Sequence, residues 1–372
     1  MKVIVVGGGI SGLSTAWALT KRGHDVTLLE QGPIPNPLSA SGDHHRIIRR
    51  AYGAHLGYSA QIDEAFAAWD EVWRDLGERH YDHRGCLCLS YREGDAADVH
   101  RAGLEAGGHP FEIVDADVAN ARWPFINPAG LRYALFSVEG GALHCRRIAL
   151  GLAEWLRANG ADVREHSRVV ALDVDGATVA LANDEVLAAD ALVVTAGGWV
   201  LDLLPDLAVD LQPYRTAVAY LDPPDDLAEA WANAPAMLDV GEADEGYVVP
   251  PSGDGGLKFG TGLHESTTDD ANLDRSTQPG EGEAIRGRFA SAIARIDDYR
   301  ISATSSCVYT FTPDETFYSA HIGHALVVSA CSGHGYKFGA AIGRRIADAV
   351  ETGDMATLRH WLRADSGPLA RS

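Results

Sequence analysis

Two arginines in a short apolar stretch have the types and spacing of a carboxylate site. Arg46 and Arg49 flank Ile47 and Ile48. In a helical turn, side chains three residues apart share one side, and two guanidinium groups there could clamp a carboxylate through paired hydrogen bonds. A solvated basic face is the alternative. The two isoleucines favour partial burial, where an unpaired charge is costly, so the pattern predicts an anion-binding pair.

Three further residues could do chemistry, although each also has an ordinary structural interpretation. Lys258 lies in an alternating strand pattern, where a lysine often faces solvent. Lys337 follows an apolar strand within a run of small and aromatic residues, but surface exposure is usual for lysine. Cys307 precedes an aromatic residue and a Thr-x-Thr turn, and a lone thiol is most often part of a core.

A glycine motif near the start of the chain predicts dinucleotide binding. Gly7, Gly9 and Gly12 form G-x-G-x-x-G between a predicted strand and a predicted helix. The glycines permit a tight turn, close approach to a pyrophosphate and close helix–strand packing, and the helix N-terminus favours the phosphates. Glu30 ends the next predicted strand, where its carboxylate could bind an adenosine ribose. A carboxylate there argues against a 2′-phosphate and therefore against NADP. The motif alone leaves FAD and NAD both open.

Hydrophobic periodicity predicts the elements that must position these residues. Buried or alternating runs predict strands over residues 2–6, 25–29, 87–91, 191–195, 211–221, 247–259 and 325–329. Helical spacing predicts helices over residues 11–22, 62–76, 145–159 and 339–350, with another inside 280–296. The order predicts an α/β fold in which a discontinuous Rossmann-like domain (residues 1–85, 143–210 and 300–372) carries an inserted β-rich (α+β) substrate domain (residues 86–142 and 211–299).

Charge and cysteine content narrow the classes of partner. The net charge of −21 over 372 residues disfavours nucleic acid and anionic membranes, because phosphate contacts would be repulsive. An odd set of five cysteines, with a strand at the N-terminus that leaves no room for a signal peptide, predicts reduced thiols in the cytoplasm. Cys86 and Cys88 alternate within an apolar run, which favours strand packing over metal binding.

Four segments together resemble the sarcosine oxidase family, the FAD-dependent amine oxidases of the D-amino acid oxidase superfamily that include N-methyltryptophan oxidase. The segments occur in the family's order and spacing, and they are DHHRIIRRAYG (43–53), GLKFG (256–260), CVYTFTPDE (307–315) and SGHGYKF (332–338). The resemblance spans nearly the whole chain. It implies that the dinucleotide is FAD and that the enzyme is an oxidase.

The resemblance also implies roles for single residues. Arg46 would lie against the flavin, Arg49 and Lys337 would bind the substrate carboxylate, Lys258 would help dioxygen become superoxide, and Cys307 would bond covalently to the flavin. Tyr247 and Tyr309 would line the substrate pocket. The implied FAD contacts are Gly7, Gly9, Gly12, Glu30, Val169, Gly197, Cys307, Gly333, Gly335 and Lys337.

Two departures from the family pattern bear on the substrate more than on the reaction. The family usually has a histidine just before the arginine pair, where this chain has Gly42 or Asp43. The family has a second histidine four residues after the oxygen-activating lysine, where this chain has Gly262.

The implied activity is oxidation of a small secondary, N-methyl or cyclic amino acid such as sarcosine to an imine. The enzyme would be a monomer that uses dioxygen and releases hydrogen peroxide. A dehydrogenase with another electron acceptor, a tRNA-modifying flavoprotein and a flavin-binding scaffold remain alternatives.

Overall fold

The computed structural model describes residues 1–53, 56–268, 270–272, 275–329 and 331–364. The β-strands in these residues are β1 (Lys2–Val6), β2 (Asp25–Leu29), β3 (His45–Arg49), β4 (Tyr81–Asp82), β5 (Cys86–Ser90), β6 (Phe111–Asp115), β7 (Tyr133–Ser137), β8 (Gly140–His144), β9 (Asp162–Arg164), β10 (Val169–Asp173), β11 (Thr178–Leu181), β12 (Val186–Ala188), β13 (Ala191–Val194), β14 (Gln212–Asp222), β15 (Ala236–Val240), β16 (Gly246–Val249), β17 (Leu257–Thr261), β18 (Ser266–Thr267), β19 (Arg300–Phe311), β20 (Tyr318–Ile322) and β21 (Ala325–Ser329).

The α-helices pack against strands of more than one sheet. They are α1 (Ile10–Lys21), α2 (Leu56–Leu76), α3 (Ala96–Gly107), α4 (Ala116–Arg122), α5 (Cys145–Ala158), α6 (Val200–Leu203), α7 (Ala228–Ala232), α8 (Glu281–Gly287), α9 (Gly339–Thr352) and α10 (Met355–Leu362). Among the described residues, no helix is both long and apolar enough to cross a membrane.

A parallel sheet with the order β20-β21-β13-β1-β2-β9 carries the glycine loop, and only β20 joins it antiparallel. Its strands are near-continuous apolar runs because both faces are covered. On one face α1, α2, α5 and α9 bury a core that includes Trp17 and Trp69. On the other face, β10–β12 form a small sheet whose Val179 packs with Ile4 and Val6. The glycine loop therefore lies at the carboxyl edge of a fully buried strand.

A second, mostly antiparallel sheet has the order β18-β14-β17-β16-β15-β5-β7-β6, and β19 pairs with β14 along nearly its whole length. Its core holds aromatic side chains, including Phe125 stacked on Trp231 with ring centroids 3.8 Å apart. A parallel Rossmann-like sheet beside a separate antiparallel sheet confirms the predicted fold class. The domain boundaries given above stay a prediction.

Most predicted elements are present within a residue or two of their bounds, but two predictions are wrong. The single strand over 247–259 is two strands, β16 and β17, because Pro250 and Pro251 interrupt it and Ser252 and Gly255 close a turn. The helical turn around Arg46 and Arg49 is the strand β3, which pairs antiparallel with β8.

Candidate functional site

The glycine loop leaves space that side chains would fill. Gly7 adopts φ +106°, which favours glycine, and a Cβ there would lie 2.5 Å from the carbonyl oxygen of Thr195. A Cβ on Gly12 would lie 1.8 Å from the carbonyl oxygen of Gly7. Gly9, by contrast, lines the open cavity in front of α1. The loop is therefore shaped for close packing on one side and close ligand approach on the other.

Glu30 is buried at the end of β2 and faces the same cavity. One carboxylate oxygen accepts the backbone N–H of Gly8 at 2.7 Å, and the other accepts the backbone N–H of Gly32 and the side-chain amide of Asn36, both at 2.9 Å. A carboxylate has about four acceptor positions. Glu30 therefore braces the glycine loop and keeps acceptor capacity for a hydroxyl in the cavity.

One continuous cavity runs from the glycine loop to the residues predicted to bind substrate. The predicted residues that line it are Gly7, Gly9, Glu30, Arg46, Arg49, Val169, Gly197, Tyr247, Tyr309, Gly333, Gly335 and Lys337. Gly12 packs helix on strand instead, and Lys258 and Cys307 lie outside this lining. A long cleft with a phosphate-sized glycine loop, an acceptor carboxylate and a distant cationic end fits FAD.

The cationic end brings together two residues that are almost three hundred positions apart. The Arg49 guanidinium carbon lies 5.0 Å from the ring centroid of Tyr52, and the Lys337 ammonium lies 5.3 Å from the same centroid. The Lys337 side chain is buried, and its ammonium donates to the carbonyl of His334 at 3.0 Å. Burial and the charge of Arg49 hold the pKa of Lys337 well below its usual value. The pair places two basic side chains at one end of the cavity.

Sequence reasoning missed Asp239, which lies on β15 and lines the cavity beside the cation pair. Its carboxylate accepts from Arg49 at 3.3 Å and also contacts the His100 imidazole. Burial alone would raise the pKa of Asp239, but the charge of Arg49 and the hydrogen bond from His100 lower it to about 2. Arg49 therefore has an anionic partner that its own sequence motif lacks.

Because β3 is a strand, Arg46 and Arg49 point to opposite faces of it and do not form a clamp with each other. The β-branched Ile47 and Ile48 favour this strand, and its pairing with β8 completes it. Arg46 donates to the carbonyl of Ala40 at 2.7 Å and to Asp43. Arg49 therefore lies with Lys337 at the cationic end of the cavity, while Arg46 belongs to a second cluster.

The second cluster is centred on the fully buried Lys258. Its ammonium donates to Asp43 at 3.0 Å and to the carbonyl of His45, and Tyr220 also donates to Asp43. Burial lowers the pKa of Lys258, and the Asp43 carboxylate opposes that shift. Lys258 is therefore not the solvent-facing strand lysine of the ordinary interpretation, and it does not line the large cavity. It shares the Asp43 carboxylate with Arg46.

Cys307 lies on β19 and lines a smaller neighbouring cavity together with Asp43 and Tyr220. Burial raises the pKa of its thiol to about 11. All five cysteines are free, and Cys86 and Cys88 are buried in β5, as the strand-packing interpretation predicts.

Tyr247 and Tyr309 are aromatic walls of the large cavity. Tyr247 on β16 faces Gly260 of β17, where a Cβ would lie 2.4 Å from the tyrosine ring. Glu265 is a further wall residue that sequence reasoning missed; burial and the nearby Glu315 and Glu245 raise its pKa to about 7.

Comparison with known proteins agrees with this geometry. Residues 2–349 match the family described as FAD-dependent oxidoreductase. The chain is 29% identical to monomeric sarcosine oxidase of Bacillus sp. (strain B-0618), covering 94% of this chain and 92% of that one. It is 28% identical to N-methyl-L-tryptophan oxidase of Escherichia coli (strain K12), covering 94% of each. The fold resembles fructosyl amine:oxygen oxidoreductase (Amadoriase I) of Aspergillus fumigatus, with a TM-score of 0.77 at 22% identity, covering 94% of this chain and 86% of that one.

Proposed function

This chain belongs to the family of FAD-dependent oxidoreductases and is an FAD-dependent oxidase of amines or amino acids; from that premise we propose that it oxidises the C–N bond of a small amino acid. The nitrogen of the proposed substrate is secondary, N-methylated or part of a ring, with sarcosine as the simplest example. The observation that carries the proposal is the pairing of Arg49 and Lys337 over the ring of Tyr52.

The cation pair recognises the carboxylate that distinguishes an amino acid from a simple amine. A charged hydrogen bond to a carboxylate contributes about 1.5–3 kcal/mol, and the planar arginine fork can make two at once. Asp239 holds the guanidinium of Arg49 in place before substrate arrives. Tyr247 and Tyr309 line the cavity beside this site and bound the space for the rest of the substrate.

Bound FAD supplies the two-electron chemistry, in which the amine loses two electrons and two protons to give an imine and dioxygen gains them to give hydrogen peroxide. The residues proposed to hold it are Gly7, Gly9, Gly12, Glu30, Val169, Gly197, Gly333, Gly335 and Lys337, with Cys307 as the covalent attachment. Arg46, which lines the cavity, would contact the flavin. Lys258 supplies a fixed positive charge where negative charge develops on dioxygen, which is the condition that electrostatic stabilisation requires. Water hydrolyses the imine after release.

The test separates the two half-reactions. The oxidised enzyme is mixed anaerobically with N-methyl, cyclic and D-amino acids, and loss of the flavin absorbance reports reduction. The reduced enzyme is then mixed with dioxygen. Lys337→Met should slow reduction, whereas Lys258→Met should slow reoxidation by about 100-fold and leave reduction much less affected. The two variants serve as controls for each other, because each removes one buried lysine.

Three outcomes would change the assignment. Absence of reduction by every amino acid in the panel contradicts the proposed substrate class. Fast reduction with slow wild-type reoxidation by dioxygen, but fast reoxidation by an artificial acceptor, indicates a dehydrogenase. Equal slowing of both half-reactions by Lys258→Met indicates that this lysine supports the fold rather than the oxygen step.

A further inference from the structure

Asp43, which the proposed mechanism has not used, is the centre of a buried charge cluster. Its carboxylate accepts from Lys258 at 3.0 Å, from the Arg46 guanidinium and from the Tyr220 hydroxyl. Asp43 lies just before β3, Lys258 lies on β17 and Tyr220 lies on β14. Three segments far apart in sequence therefore converge on one carboxylate, at a position where the sarcosine oxidase resemblance already showed a departure.

The hydrogen bonds fix the direction of the Lys258 ammonium. A lysine ammonium carries three N–H donors. One donates to Asp43 and another to the carbonyl of His45. Among the described residues, the third N–H has no hydrogen-bond acceptor. Asp43 and the β3 backbone together therefore determine where that last N–H points.

The charge of Asp43 also affects the protonation of Lys258. Lys258 has no solvent exposure, and burial and the positive charge of Arg46 both lower its pKa, while Asp43 raises it. The other titratable groups around Lys258 are His45 on β3, Cys145 at the start of α5 and Tyr220 on β14. Burial lowers the pKa of His45 to about 3 and raises that of Cys145 to about 11, so both stay neutral near pH 7. Asp43 is therefore the anion that compensates Lys258.

We propose that Asp43 is a positioning residue for the oxygen step: it keeps the buried Lys258 ammonium protonated and aims its remaining N–H. Asp43 acts through Lys258 and does not itself touch the reacting atoms. The inference rests on the proposed function, because it assumes that the charge of Lys258 accelerates transfer of two electrons from reduced flavin to dioxygen, with two protons, to give hydrogen peroxide.

The test is the pH dependence of flavin reoxidation. Wild type, Asp43→Asn, Asp43→Glu and Lys258→Met are reduced anaerobically and mixed with dioxygen at pH values from 6 to 9. Asp43→Asn leaves Lys258 beside Arg46 without an anion, so the lysine loses its proton at lower pH. Its reoxidation should be at least tenfold slower than wild type at pH 8, and the difference should narrow as the pH is lowered. Asp43→Glu, which restores the charge, should recover most of the rate.

A matched control uses another aspartate–lysine pair. Asp75 accepts from Lys21 at 2.6 Å, and neither residue lines the large cavity or the cavity beside Cys307, so Asp75→Asn should leave reoxidation unchanged at every pH. In a Lys258→Met background, Asp43→Asn should add no pH-dependent slowing, because Asp43 acts through the lysine. Asp43→Ala is a second removal variant in case Asp43→Asn does not fold.

A thermal-stability measurement on the flavin-loaded protein checks the pairing without any turnover. Asp43→Asn and Lys258→Met should each lower Tm, and the double variant should lose less than the sum of the two single losses, because the residues share one interaction. Additive losses overturn the pairing. The inference about Asp43 is overturned, and the proposed oxygen step is not, if Lys258→Met is slow but the ratio of wild-type to Asp43→Asn reoxidation rates does not change with pH. If Lys258→Met is reoxidised at the wild-type rate, both the proposed oxygen step and this inference are overturned.

Discussion

At the scale of single residues, the proposed substrate end of the cavity carries two basic side chains with different chemistry. Arg49 presents a planar fork and is paired with Asp239, whereas Lys337 is a buried point charge held by a backbone carbonyl. Arg49→Lys should therefore weaken binding of acetate-like carboxylates despite keeping the charge, and Lys337→Met should weaken it by roughly ten- to a hundred-fold. Titration of the flavin absorbance with a small carboxylate measures both affinities.

The neighbouring arginine provides the control for this prediction. Arg50 pairs with Asp63 and Glu139 and does not line the cavity, so Arg50→Lys should leave carboxylate affinity unchanged. If Arg49→Lys and Lys337→Met also leave it unchanged in the flavin-loaded protein, the two residues serve only the flavin or the fold, and the case for an amino-acid substrate fails.

Carboxylate binding should also depend on pH in a direction set by Lys337. Burial and the charge of Arg49 hold its pKa well below the usual value, so above that lowered pKa the free enzyme has a neutral lysine. A carboxylate binds the protonated form better, and binding must take up a proton. Affinity should therefore fall as the pH rises through the pKa of Lys337 in the free enzyme. The same titration from pH 6 to 9 checks this, and Lys337→Met should flatten the dependence.

Cys307 carries the prediction of covalent flavin. The flavin-loaded wild type should keep its yellow colour in the pellet after acid denaturation, and Cys307→Ala should lose it. Cys331 is the matched control, because it is another half-buried cysteine and lines the large cavity; Cys331→Ala should keep the colour. Flavin that washes entirely out of denatured wild type would contradict the attachment.

At the scale of elements, the contact between β1 and α1 fixes the dinucleotide loop. A Cβ on Gly12 would lie 1.8 Å from the backbone oxygen of Gly7, and a backbone atom cannot move aside as a side-chain tip can. Gly12→Ala should therefore lower the free energy of unfolding by about 1–3 kcal/mol and reduce FAD content. Urea unfolding and the ratio of flavin to protein absorbance measure the two effects.

Gly287 at the end of α8 is the control glycine, because no atom lies within 4 Å of a Cβ placed there. Gly287→Ala should be neutral or slightly stabilising, since alanine favours the helix. A Gly12→Ala protein with wild-type stability and flavin content would show that α1 can shift away from β1 without cost.

At the scale of the whole molecule, the cavity is lined from both large sheets: Val6 and Val328 come from the parallel sheet, and Leu238 and Val308 come from the antiparallel one. A ligand bound there contacts both and stabilises the folded state by mass action, by about 4 kcal/mol at a thousand times its dissociation constant. Removal of FAD should therefore lower Tm of the whole protein. Cys307→Ala, from which flavin can be dialysed, allows the comparison.

Added FAD should restore Tm of this variant in a concentration-dependent way, and the shift should be followed with probes in both sheets. A Tm that does not respond to FAD would contradict binding of FAD to the folded protein. A response confined to the parallel sheet would show that the flavin end does not reach the antiparallel sheet.

The sequence by itself determined the features that depend on near neighbours in the chain. The apolar run of β1, the glycine triplet and Glu30 lie within thirty residues, so their pattern predicted strand, helix and loop correctly. Local spacing was misleading at Arg46 and Arg49, because so short a sequence is compatible with either a helix or a strand. Only the pairing of β3 with β8 decides between the two.

Only the tertiary structure decided which charged groups meet. Arg49 finds Asp239 and Lys258 finds Asp43 across 190 and 215 residues, respectively. No periodicity encodes such pairs, because they arise when separate strands come together and each buried charge must then be compensated. The residue types of the site could thus be found in the sequence with the help of a family resemblance, whereas the protonation and direction of its cations follow from burial and from anions contributed by distant segments.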